Sequence, residues 1–131
     1  NFYSTCNFKI NVKKKKMNNF TEIEYNITAG NSNINIGEGI VNYEKMACQV
    51  VATSYNGSNS SIYIQESNNG IDWNDITDNL GNSLTITITR NGKYMLKTSI
   101  FYARFIRATI DIGDATTGIF NIGTYFKDKN V

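Results

Sequence analysis

The run SLTITIT at 83 to 89 sets Leu84, Ile86 and Ile88 against Thr85, Thr87 and Thr89. Only an extended strand turns successive side chains to opposite faces, so strict alternation of this kind marks a half-buried strand. The same period recurs along the chain. Ile23, Tyr25 and Ile27 share a face in FTEIEYNITA, and Met46, Cys48, Val50 and Ala52 share one in KMACQVVATSY. Ile62 and Ile64 line SIYIQES, and Tyr94 and Leu96 line GKYMLK. Ile106, Ala108, Ile110 and Ile112 line ARFIRATIDI, while Phe120, Ile122 and Phe126 line the last run.

The runs are separated by Asn56-Gly57, Asn69-Gly70, Asn91-Gly92, Gly113-Asp114 and Thr117-Gly118. Asn and Gly tolerate the positive φ that tight turns demand. Ile and Thr, both abundant, are β-branched and suit a pleated surface. Short strands at this spacing predict one all-β domain: an antiparallel β-sandwich, jelly-roll or immunoglobulin-like, of about seven to nine strands. The sandwich is expected over residues 20–131. Residues 1–19, where only NFKINV alternates before a lysine run, are expected to be an N-terminal arm or edge strand. The segment from Asn31 to Asn42 reads as a loop or short irregular strand, and VNYEKM at 41 to 46 has room for one helical turn.

At 131 residues the chain is long enough to bury a core without disulfide or metal staples. It contains no histidine, which removes the commonest acid/base and metal ligand. Its carboxylates fall mostly on solvent faces or in turns, and neither Cys6 nor Cys48 has a histidine to activate it. The expectation is therefore a non-enzyme without a cofactor. Cys48 lies on an inward face, and both thiols are read as structural, with a Cys6–Cys48 bridge as the alternative. A net charge of +2 gives no overall preference for nucleic acid or membrane. No stretch has the roughly 18 apolar residues of a membrane helix. The first ten residues are too polar for a secretory signal core, so no export is expected.

Four features are candidates for a site. Lys13, Lys14, Lys15 and Lys16 form a basic run suited to an acidic protein surface or simply to solvent. Asp72, Asp75 and Asp78 recur every third residue, which raises a Ca²⁺ loop. The glycine and closing glutamate of such a loop are missing, so a solvated corner is expected. Trp73, Tyr55, Phe101, Tyr102 and Tyr125 could build an aromatic surface, since aromatic faces stack on sugars and anchor protein interfaces. The single Trp73 is expected to cover one end of the core, and Phe101, Tyr102 and Arg107 to meet a partner. Arg104 and Arg107 are three apart, so a regular strand sends them to opposite faces.

The order of these pieces resembles a recurrent bacteriophage structural domain. In it a strand ending in Ser leads to a (D/N)-G-x-x-W corner, followed by a G-x-Y strand and an R-(Y/F)-(I/V)-R strand. The matching residues are Ser67, Asn69, Gly70, Trp73, Gly92, Tyr94, Arg104, Phe105, Ile106 and Arg107, and the similarity covers roughly residues 40–126. Ser67, Asn69, Gly70, Trp73 and Arg104 are then read as the structural corner. The resemblance implies a virion β-sandwich assembled in the host cytoplasm: an auxiliary or decoration protein on the capsid, or a tail or baseplate subunit. Its partners would be the major capsid protein, other virion proteins or further copies of itself. The same pattern also resembles the discoidin, or coagulation-factor type C, jelly roll. That likeness implies glycan binding by loops at one end, although the usual terminal cysteine pair is absent.

Overall fold

A computed structural model describes residues 12–17, 19–38, 43–78, 80–98 and 103–128. Within them ten strand segments form two antiparallel sheets: β1 (Val12–Met17), β2 (Phe20–Asn26), β3 (Ser32–Glu38), β4 (Tyr43–Thr53), β5 (Ser60–Ser67), β6 (Asn74–Asp75), β7 (Thr85–Ile88), β8 (Gly92–Lys97), β9 (Phe105–Asp111) and β10 (Ile119–Asp128). Sheet A runs β1-β2-β10-β4-β8, and sheet B runs β3-β9-β5-β6. Strand β7 shares the free edge of β5 with β6, pairing at Ser60–Tyr63 while β6 pairs at Gln65 and Glu66. Apart from β1–β2 and β5–β6–β7, every connection carries the chain from one sheet to the other. The winding is that of a jelly roll, and the expected sandwich is what the chain forms.

Alternation dictates the core. Ile23 and Tyr25 of β2, Cys48 and Val50 of β4, and Phe120 and Ile122 of β10 face Ile62 and Ile64 of β5 and Ile106 and Ile110 of β9, all essentially without solvent exposure. Burying side chains of this size contributes about 1.5–3 kcal/mol each relative to exposure. One polar group inside has no partner among the described residues, the Tyr25 hydroxyl. Burial pushes its pKa up, which keeps it neutral.

One local expectation is decided and one corrected. Of the alternatives for the segment after Asn31, residues 32–38 form the short irregular strand, β3, because Ile34 and Ile36 alternate with Asn33 and Asn35 and are buried. The abundance of Asn masked that period. The ladder with β9 shifts register between Asn35 and Gly37, where the Asn35 side chain accepts the Gly37 amide at 3.0 Å. A helical turn before Met46 does not form over the described residues, since β4 starts at Tyr43 in register with β10. A short 3₁₀ turn occurs instead at Ile27–Ala29, capped by the Asn26 side chain on the Thr28 amide.

Candidate functional site

The outer face of sheet B gathers several of the polar side chains that the sequence singled out. Register places Gln65 opposite Arg107 on one side and Asp75 on the other, and Tyr63 opposite Thr109 and Thr85. Gln65 Oε1 accepts from Arg107 Nε at 2.9 Å and from Thr109 Oγ1 at 3.0 Å. Its amide nitrogen donates to Asp75 Oδ1 at 2.8 Å, and Ser83 Oγ donates to Asp75 Oδ2 at 3.1 Å. The guanidinium of Arg107 lies over the Trp73 ring, 4.2 Å from its centroid. Partial burial lowers the Arg107 pKa. Among the described residues no carboxylate pairs with Arg107, and only its Nε donates a hydrogen bond. The result is a held guanidinium whose terminal fork is free for a planar acceptor.

The turn that delivers Trp73 to this face is built from its own side chains. Ser67 Oγ accepts the Gly70 amide at 2.9 Å, and Asn69 Oδ1 accepts the amides of Ile71 and Asp72, both at 2.9 Å. The Asn69 side-chain nitrogen donates to Asp72 Oδ2 at 2.9 Å. Gly70 has φ of 74°, a conformation that residues with a Cβ rarely adopt. Tyr94 does comparable work in the β7–β8 connection, where its hydroxyl donates to the Arg90 carbonyl at 2.7 Å and accepts the Thr89 and Arg90 amides at 3.3 Å.

Several predicted roles are relocated. Trp73 does not cover the core: it is half-buried, lies on the outer face and belongs to no part of the core cluster. The Asn69-Gly70 corner turns Trp73 towards Arg107, whose guanidinium covers its ring, so the ring is engaged on the sheet face and not as a lid on the core. Tyr55 is in the core, donating to the Ile88 carbonyl at 2.9 Å, and is not a surface aromatic. Tyr125 is 45% exposed on the outer face of sheet A. Arg104 is exposed just ahead of β9, with its guanidinium 5.4 Å from the Phe105 ring centroid, and it makes no hydrogen bond in the corner. Phe101, Tyr102 and Cys6 lie outside the described residues. Lys13 to Lys16 fall in β1, the outermost strand of sheet A, with Lys13 and Lys15 opposite Glu24 and Glu22.

The aspartates at spacing three each serve a different neighbour. Asp75 belongs to the Gln65 network, whereas Asp78 accepts the amides of Leu80 and Asn82 at 2.8 and 2.9 Å. The Asn82 amide foremost, then that of Leu80, holds the Asp78 carboxyl below its ordinary pKa. Among the described residues no three His, Cys, Asp or Glu side chains converge as metal ligands. Sequence reasoning missed the clasp between the β4–β5 and β9–β10 loops. There Asp114 accepts from the Ser58 amide, the Ser58 hydroxyl and the Asn59 amide, while Asn56 accepts the amides of Thr116 and Thr117. These residues are about sixty apart in sequence, so no local pattern signals them.

No protein-family model and no curated protein matches the chain. Among solved structures it is similar to one described as the crystal structure of PirA, with a TM-score of 0.51 and 13% identity over 86% of this chain and 97% of that one. It is also similar to a structure described under Bacillus endospore appendages that form a novel family of disulfide-linked pili, with a TM-score of 0.46 and 16% identity over 89% and 92%. A third is the SPBc2 prophage-derived protein YomS, with a TM-score of 0.44 and 5% identity over 86% and 99%. At these identities the likeness concerns the fold alone.

Proposed function

We propose that the chain is a non-enzymatic structural protein of a bacteriophage virion, an auxiliary or decoration protein on the capsid that acts through protein–protein contacts. The observation that carries this reading is the character of the two outer faces. Each is a broad strand surface on which apolar or aromatic groups stand among charged ones: Met95 and Tyr125 on sheet A, and Trp73 on Arg107 on sheet B. Anchors of this kind within a polar rim are how protein interfaces are built. Asp72, Asp78 and Asp114 are spent on turns and loops, a distribution that serves a scaffold. The sequence resemblance to virion sandwich domains points the same way. Mass spectrometry of purified particles tests it. A fixed stoichiometry, with the protein on the capsid in particle images, is expected; trace copies would sink the proposal.

A glycan-binding role is favoured by one specific observation, the Trp73–Arg107–Gln65–Asp75 network on an exposed face. An aromatic ring beside fixed donors and acceptors is suited to a sugar. A glycan array separates the readings: specific binding that Trp73→Ala abolishes with the fold intact would favour the glycan, and no binding would leave the structural role.

A further inference from the structure

The charges of this nearly neutral chain are divided between its two sheets. Every lysine of the strands belongs to sheet A: Lys13–Lys16 on β1, Lys45 on β4, Lys93 and Lys97 on β8, and Lys127 on β10. No strand of sheet B contains a lysine. Its outer positions carry Glu38, Asp75 and Asp111, with Arg107 as the one cation of its strands. The strands of sheet A also carry four acids, Glu22, Glu24, Glu44 and Asp128, against eight lysines, with Glu22 and Glu24 in register with Lys15 and Lys13, so the sheet is basic on balance.

We infer that a second copy of this chain is the partner of these faces, with the basic outer face of sheet A in one copy lying on the acidic outer face of sheet B in the next. The inference goes beyond the virion reading and does not depend on it. Charge complementarity selects the geometry. Stacking A on A or B on B opposes like charges, whereas A on B opposes unlike ones. The contact is therefore heterologous, and a heterologous contact that does not close propagates into a chain of copies.

The faces also supply apolar anchors. Cross-strand rows on sheet A read Phe20–Tyr125–Ala47–Lys97 and Glu22–Gly123–Gln49–Met95. Tyr125 is 45% and Met95 55% exposed. A Cβ on Gly123 would come within 3.2 Å of the Phe20 ring, so this glycine leaves the ring room against β10. The opposing face offers Tyr63 in register with Thr85, Thr87 further along β7, and Trp73 on Arg107. A five-stranded face is about 24 Å on a side from strand spacing and rise. That gives on the order of 600 Å² per partner, below the roughly 800 Å² of a standard interface. The single contact is weak, and repetition along a lattice is what makes it hold.

Sedimentation velocity of the full chain across ionic strength tests this, because screening lengths fall from about 30 Å at 0.01 M to about 3 Å at 1 M salt. Association at low salt that is lost at high salt is expected. Lys93→Glu with Lys97→Glu spoils the A face, and Glu38→Lys with Thr87→Lys spoils the B face; all four positions are exposed, and circular dichroism verifies the folds. Each double variant alone should sediment as a monomer under conditions where the unaltered chain associates. A 1:1 mixture should regain association, since each variant keeps the native face that the other lacks. A monomer at every salt concentration, association indifferent to salt, or a mixture that stays monomeric would each overturn the inference. None of these outcomes bears on whether the protein is found in virions.

Discussion

Arg107 and Trp73 are each other's support: the guanidinium carbon lies 4.2 Å above the indole centroid while Nε is tied to Gln65. The pair stands on the outer face of sheet B, so the only tryptophan is spent on a surface and not on the core.

Truncating that pair should barely move stability. Trp73→Ala is expected to cost about 1 kcal/mol, the scale of a cation–π contact at a partly exposed site. A double-mutant cycle with Arg107→Ala in urea should return a coupling of about 0.5–1 kcal/mol. By contrast, Phe120→Ala, inside the sandwich at 0% exposure, is expected to cost about 3–5 kcal/mol. A Trp73→Ala loss of comparable size would show that the ring serves the core after all.

The corner depends on side-chain acceptors for backbone amides. Asn69→Ala leaves the Ile71 and Asp72 amides without their bonds and should cost about 1–2 kcal/mol. Asp72→Ala removes only the bond from Asn69 and should cost less. Thermal denaturation of both variants checks the order.

Glycines at positive φ should not be equivalent. At Gly113, with φ of 58°, a Cβ would sit 1.6 Å from the Asn59 carbonyl oxygen, a backbone atom that cannot swing aside. At Gly81, with φ of 86°, a Cβ would meet nothing within 4 Å. Gly81→Ala is expected to cost about 1 kcal/mol from conformation alone, and Gly113→Ala several kcal/mol, with loss of the clasp made by Asp114. Comparing their unfolding midpoints settles it.

Burial pushes the Cys48 thiol from 9.0 to about 12. The folded state therefore holds this proton more tightly than the unfolded chain does. Its contribution is fully present below about pH 9 and is lost as pH rises towards 12, with a slope of about 1.4 kcal/mol per pH unit within that window. Cys48→Ala should flatten that part of the stability profile. Peptide mapping after alkylation at pH 8 should find Cys48 unmodified in the native protein and modified in urea.

Asp78 and Asp114 titrate below 3.8, the first chiefly because of the Asn82 amide and the second chiefly because of the Ser58 hydroxyl. Their loop bonds should persist at pH 4 and weaken as pH falls through the lowered values. Carboxyl chemical shifts followed by NMR would show it, with Asp114→Asn removing the second transition.

Period-two alternation by itself determined which side chains of β2, β4, β5, β9 and β10 enter the core, because a strand offers only two faces and one must be dry. Asn-Gly pairs marked the tight turns for the same local reason, and Ser67, Asn69 and Gly70 announced a corner whose bonds all close within a few residues. β3 was obscured, since Asn at alternate positions reads as loop until Ile34 and Ile36 are seen against β9. Tertiary structure alone decided what Trp73 faces, because that depends on Arg107 arriving from a strand far along the chain. It also decided that Asp114 would clasp Ser58, and that every lysine of the strands would fall on one sheet while the acids divide between the two. Those are consequences of which strands share a sheet, and strand order is set by long-range pairing that no local pattern encodes.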